Sequence, residues 1–236
     1  MLVLTFPAGI NGQKPKLLRP NFVRENFSEG LAGAYANGKW GFVNNAGVFI
    51  IKPSFDDVGD FCEGLACVKV GEQWGYINKA GRLVIRPQFD SAGCFSESRA
   101  EVSTNGKWGY IDSFGHQVIK PKFRLARSFR SGLAPVQIDE KWGYIDRRGR
   151  MLIEPQFSDG QEFSERLAAV QINGKYGYIN PAGAFAIKPQ FDLATGFAQG
   201  RATVRIDGEL EFINPRGDIL KPKVTSTFKL NKILRN

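Results

Sequence analysis

One spacing governs this chain. Trp40, Trp74, Trp108, Trp142, Tyr176 and Leu210 stand 34 residues apart, as do Phe27, Phe61, Phe95, Phe129, Phe163 and Phe197. Gly47, Gly81, Gly115, Gly149, Gly183 and Gly217 keep the same step, and Pro53, Pro87, Pro121, Pro155 and Pro189 follow it too. A fixed period of this size marks repeated units, each too small to bury its own apolar face, that must share a core with their neighbours.

Helical repeats also come in this length, but the residues exclude them. Each unit carries several glycines and a proline, which cost about 1 to 3 kcal/mol apiece inside a helix. The apolar pattern alternates instead: Leu65 and Cys67 on one side, Ala66 and Val68 on the other. Asn37-Gly38, Asn105-Gly106, Asn173-Gly174 and Asp207-Gly208 supply the positive-φ pairs of tight hairpins. The stretch KWGYI returns as a strand rich in aromatic and β-branched residues. A third strand such as LVI at 83–85 follows a second turn, and the proline is expected to end it by removing a hydrogen-bond donor.

The expected fold is therefore all-β: tandem 34-residue three-stranded meanders stacked as an open, solenoid-like array. A closed six-bladed, propeller-like ring is the alternative. Residues 1–26 form an N-terminal segment in which LLRPNF at 17–22 resembles half a unit. Residues 27–222 hold six repeats and 223–236 a basic tail. Trp40, Trp74, Trp108, Trp142 and Tyr176, with Gly41, Gly75, Gly109, Gly143 and Gly177 after them, read as the repeat core. The bare glycine is expected to lie beneath an aromatic ring of the same or a neighbouring unit. The last copy departs from the pattern, with Leu210 and Glu211 in place of the aromatic and the glycine.

The composite of EGLA, KWGYI or QWGYI, and VIxPxF resembles the WG repeat (KWG repeat) family of bacterial tandem β-repeat proteins over residues 27–222. That resemblance implies a β-rich array acting as an interaction module, with no assigned chemistry.

Charge is unevenly placed. The chain has 236 residues and a formal charge of +9. Lys14, Lys16, Arg19, Arg24 and Glu25 give the first 26 residues +3, and five cations without an acid give 221–236 +5. Residues 27–220 hold only +1. Within them 95–150 is +5, while 27–94 is −1 and 151–220 is −3. The centre of that basic stretch is IKPKFRLARSFR at 119–130, where Lys120, Lys122, Arg124, Arg127 and Arg130 stand without an acid. They are the candidate site for an anionic partner.

No cofactor, metal or small-molecule substrate is implied, and no residue is singled out as catalytic. His116, the lone histidine, occupies a turn place held elsewhere by Val48, Arg82, Arg150, Ala184 and Asp218. Glu29, Glu63, Glu97 and Glu165 keep step with the repeat and are expected to cap loop N–H groups. Cys62, Cys67 and Cys94 are an odd number outside the period and are expected as small buried hydrophobes in a reducing compartment. MLVLTFPAGI lacks a basic leader and a cleavage site, and no stretch is long enough to span a bilayer, so the expected location is the cytoplasm. The functional expectation is a non-catalytic scaffold for protein–protein contact, with recognition in variable turn positions such as Asn45, Lys79, Ser113, Arg147 and Pro181. Binding of nucleic acid or a membrane surface through 119–130 and the C-terminal tail is a second expectation, and carbohydrate binding by exposed tryptophans a third.

Overall fold

The computed structural model describes residues 18–221; the segment 1–17 and the basic tail lie outside the described residues. The chain divides into two compact units at Phe95–Ser96. Each is built from antiparallel sheets following one another along the sequence, and none of these sheets closes on itself. Tandem sheets of this kind are common to the open-array and the ring arrangement.

In the first unit one sheet holds Phe22–Val23, Ala32–Ala36, Lys39–Val43 and Phe49–Phe55 in that order, and a second holds Asp57–Cys62, Leu65–Val70, Gln73–Asn78 and Leu83–Phe89. The second unit runs Ala100–Thr104, Lys107–Ile111, Gln117–Phe123, then Leu125–Ala126, Leu133–Ile138, Lys141–Asp146, Met151–Phe157. Asp159–Gly160, Ala168–Ile172, Lys175–Ile179 and Phe185–Phe191 form its next full sheet, and Leu193–Ala194, Ala202–Ile206 and Glu209–Ile213 its last. We call the strands of each set leader, opening, aromatic and proline strands. The leader is an addition to the three-stranded reading: it pairs for a few residues with the opening strand that follows it, as Leu125↔Gln137 and Ala126↔Val136.

Turn chemistry sets these strands. The Asn-Gly and Asp-Gly pairs have positive φ at both residues, as expected. A second turn of the same kind lies at Glu29-Gly30, Glu63-Gly64, Ser131-Gly132 and Gln199-Gly200. There Ser28 N–H and Leu31 N–H each donate to the other's carbonyl, at 2.9 and 3.0 Å. The third turn is held by Asn44, Asn78, Asp112, Asp146, Asn180 and Asn214. The side-chain oxygen of each accepts from the N–H groups two and four residues on, as at Ala182 and Ala184 from Asn180.

The proline does not end its strand. Trp142 pairs with Phe157 and Tyr144 with Ile153, so Gly143 alone faces three residues of the proline strand, Glu154, Pro155 and Gln156, across a bulge. A strand with one unpaired edge tolerates a missing donor at such a bulge. The same bulge corrects the role given to the glycine after each tryptophan. A Cβ at Gly41, Gly75, Gly109, Gly143 or Gly177 would stand 2.6–2.8 Å from the proline nitrogen of the same sheet. The three atoms nearest each such Cβ are backbone of the proline strand and none belongs to an aromatic ring.

The row that fills the interior lies two residues beyond the tryptophans. Phe42 in the first sheet and Tyr76, Tyr110, Tyr144 and Tyr178 after it are fully buried. Each packs on the phenylalanine 19 residues further along the chain. Centroids are 4.8 Å apart for Tyr110–Phe129, 5.2 Å for Tyr144–Phe163 and 4.8 Å for Tyr178–Phe197. Such pairs add about 0.5–1.5 kcal/mol beyond the area they bury. The tyrosine hydroxyl completes the contact by donating at 2.8 Å to a carbonyl 17 residues on: Gly93 from Tyr76, Arg127 from Tyr110, Gln161 from Tyr144 and Thr195 from Tyr178.

Two further bonds join one repeat to the next. Ser28, Ser96 and Ser164 donate their hydroxyls to the carbonyls of Phe61, Phe129 and Phe197. Glu29, Glu97 and Glu165 accept from the turn N–H of Gly64, Gly132 and Gly200, as the sequence suggested. Cys62 holds the serine place in its own repeat, and there a disulfide to Cys94, with Cα atoms 5.7 Å apart, replaces the hydrogen bond. This corrects the expectation of three unpaired cysteines. The bridge spans 32 residues, so it shares the junction's place but not the 34-residue period. Cys67 is buried against Gly59. No helix among the described residues is long and apolar enough to cross a membrane.

Candidate functional site

The basic stretch 119–130 crosses from one sheet of the second unit to the next, and its five cations have different fates. Lys120 and Lys122 alternate on the proline strand Gln117–Phe123 and are exposed. Arg124 follows that strand, also exposed; its Nη1 donates to the Asp139 carbonyl at 3.2 Å and stands 3.5 Å from the Glu140 carboxylate. Arg127 turns inward. Its guanidinium meets Asp159 at 3.1 Å and covers the Trp142 ring at 4.7 Å. Arg130 holds the serine place of its repeat and walls a cleft of about 460 Å³ with Ser128, Gln161, Glu162, Phe163, Ser164 and Gly196. The structure thus groups Lys120, Lys122 and Arg124, and sets Arg127 and Arg130 apart from them.

Three polar side chains of the cleft lining are engaged within the protein. Gln161 donates to the Ala194 carbonyl at 3.0 Å, and Ser164 is taken up in its junction bond. Ser128 donates to the Glu101 carboxylate at 3.1 Å. Burial pushes the Glu101 carboxyl up to about 7, the Ser128 bond works against that, and Glu162 nearby adds to it.

The variable turn slot is not uniformly open to a partner. Lys79 pairs with Glu29 at 2.8 Å and Arg147 with Glu97 at 2.7 Å, each reaching back to the glutamate of the preceding repeat. At Glu97 burial works to raise the carboxyl, but Arg147 and the Gly132 N–H outweigh it and hold it below its usual range. Asn45 and Ser113 are exposed, and Pro181 is half-buried.

Trp142 is buried, at 5% exposure, whereas Trp40, Trp74, Trp108 and Tyr176 are half-buried. Trp40 lies beneath Arg24 at 4.8 Å. The glycines that follow these residues are all buried. His116 is exposed, 3.0 Å from the Asp112 carboxylate inside its own turn. Among the described residues no three His, Cys, Asp or Glu side chains gather in a group able to hold a metal ion. The sequence reading missed Ser128 and Glu101. Glu101 alone carries a carboxylate among the equivalent places Gly33, Cys67, Pro135, Ala169 and Thr203, and that contrast was its available signal.

Successive antiparallel sheets joined by periodic junction bonds define a tandem β-repeat protein. The WG containing repeat family matches it in five consecutive copies, at residues 40–74, 74–108, 108–142, 142–176 and 176–209, and the chain belongs to that family. No curated protein matches it in sequence. Among solved structures it is similar to Kluyveromyces lactis Hsv2 with a complete loop 6CD, at 9% identity and a TM-score of 0.53, over 80% of this chain and 71% of that one. A second structure, of Kluyveromyces lactis Hsv2p, gives 9% and 0.52 over 84% and 75%. A crystal structure described as the eukaryotic initiation factor gives 12% and 0.54 over 80% and 61%. At such identities the likeness is one of fold alone.

Proposed function

We propose that this chain is a non-catalytic repeat scaffold that binds another protein through the exposed, non-periodic positions of its sheets. One observation carries the reading. The periodic tyrosine and serine side chains, with Glu29, Glu97 and Glu165, join one repeat to the next, as Tyr144 to Gln161, Ser164 to Phe197 and Glu165 to Gly200. Chemistry directed outward is left to side chains that differ between copies. His116 supports the same view, since it stands in a tolerant turn place with its ring against Asp112. Guanidinium groups over Trp40 and Trp142 weigh against those rings as sugar platforms.

Affinity purification of the tagged full chain from its source cells, followed by reconstitution with each purified candidate, tests the proposal. A stoichiometric protein complex that survives nuclease treatment is the expected result. Co-purification of nucleic acid, lipid or glycan alone would overturn it, as would turnover of a small molecule by the purified chain.

A further inference from the structure

The sheet holding Trp108 differs at one charge from the first sheet and from the sheet around Tyr176. Lys39 pairs with Asp56 in the first sheet, and Lys175 with Asp192 in the sheet around Tyr176. The geometry is the same in both. The lysine opens the aromatic strand, the aspartate follows the phenylalanine that closes the proline strand, and the pairs Trp40↔Phe55 and Tyr176↔Phe191 bring the two ends together. The Trp108 sheet keeps the lysine as Lys107 and keeps the register as Trp108↔Phe123, but Arg124 stands in the aspartate's place. Cations therefore occupy both of the places where the first sheet and the Tyr176 sheet hold a cation and an anion, whereas the Trp74 sheet has Gln73 with Asp90 and the Trp142 sheet Lys141 with Ser158. Lys120 and Lys122 extend the charge along the same strand, and all four residues are exposed.

We propose that Lys107, Lys120, Lys122 and Arg124 form a docking surface for an acidic peptide segment of a protein partner. A carboxylate of that segment takes the place that Asp56 and Asp192 hold in their sheets. The inference rests on the protein-binding reading above and adds the surface and the chemistry of the partner. The fold already shows that a carboxylate fits beside the lysine at this register. Arg124 is steadied by its bond to the Asp139 carbonyl, while its approach to Glu140, with both side chains largely exposed, yields to a better-placed acid. Nucleic acid suits the surface less well. Phe123, the aromatic residue between Lys122 and Arg124, is buried at 1% exposure and offers no face for base stacking.

Fluorescence anisotropy with a labelled oligoglutamate peptide tests this on the full chain at low salt, with a single-stranded oligonucleotide and anionic vesicles as parallel arms. Arg124→Asp restores the internal pair with Lys107, so it is expected to weaken peptide binding about fivefold while the thermal midpoint holds or rises. Lys122→Ser should weaken it less, and Arg130→Ser, which lies off the surface, should not. No peptide binding, equal binding by Arg124→Asp, or Arg124-dependent binding confined to the oligonucleotide or the vesicles would each overturn the proposal. A reconstituted protein partner indifferent to Arg124→Asp would overturn the assigned surface and leave the scaffold reading standing.

Discussion

Two sheets of the second unit, one repeat apart, show which residues belong to a sheet and which to a junction. The sheet around Tyr176 has Gly177 beneath its proline strand, Tyr178 bonded to the Thr195 carbonyl, and Ser164 and Glu165 bonded to Phe197 and Gly200. In the sheet that follows, Glu211 replaces the glycine, Phe212 the tyrosine, Ala198 the serine and Gln199 the glutamate. Leu210 and Phe212 there are 62% and 53% exposed. Its opening and aromatic strands still pair in full, from Ala202↔Ile213 to Ile206↔Glu209. Of the stretch equivalent to its proline strand only 219–221 lie among the described residues, and there Ile219 bridges Ile213 and the Leu220 N–H donates to the Phe212 carbonyl. A hairpin therefore needs only its turn and its alternation. The glycine serves the bulged proline strand, and the tyrosine, serine and glutamate serve the next loop.

Gly177→Ala should do the most damage. Its Cβ would sit 2.7 Å from the Pro189 nitrogen, a clash with backbone that cannot rotate away, and a loss of about 3 kcal/mol or more is expected in denaturant unfolding. Glu211→Ala should change stability by less than about 0.5 kcal/mol, and an equal loss would break the comparison. Reducing the Cys62–Cys94 bridge tests a covalent junction against the hydrogen-bonded ones. A dithiol reductant should lower the stability of the first unit by about 3.7 kcal/mol, given a loop of 32 residues, and Cys62→Ser should recover part of that through the serine bond.

Next in size is a pH effect at Glu101. Its carboxyl, raised by burial to about 7 from an ordinary 4.5, binds more protons folded than unfolded between those values. The stability of the second unit should therefore fall as pH rises through that window. Glu101→Gln should flatten the slope and stabilise the protein above pH 7 by about 1–3 kcal/mol in thermal melts across pH. Tyr178→Phe strands the Thr195 carbonyl at a cost of about 1–2 kcal/mol, whereas Phe212→Tyr in the last sheet should be neutral. Ser164→Ala is the smallest, about 1 kcal/mol, and Ala198→Ser should return nothing.

Much of the fold was legible because it rests on local rules. Asn-Gly pairs require positive φ, and alternation requires strands, so the opening and aromatic strands follow directly. The glutamates were legible because a carboxylate at a fixed step beside glycine-rich turns has one obvious duty. The proline misled, since removal of a donor ends a ladder only where that donor is needed, and at the bulge opposite Gly143 it is not. Tyr144 was overshadowed by Trp142: both recur, but only a row that meets the next loop's phenylalanine fills the interior, and that depends on packing no single repeat displays. Nor could a run of five cations in sequence show that Arg127 turns inward to Asp159 while Arg124 stays out.

The serine and glutamate junction bonds connect residues about one period apart, Ser164 to Phe197 and Glu165 to Gly200, and the tyrosine bond spans half a period, Tyr178 to Thr195. Duplicating a stretch of the gene one period long would thus copy donor and acceptor together. Such a chain can gain or shed whole copies without inventing a new joint, while single substitutions at exposed turns and strand faces alter what each copy offers to its surroundings.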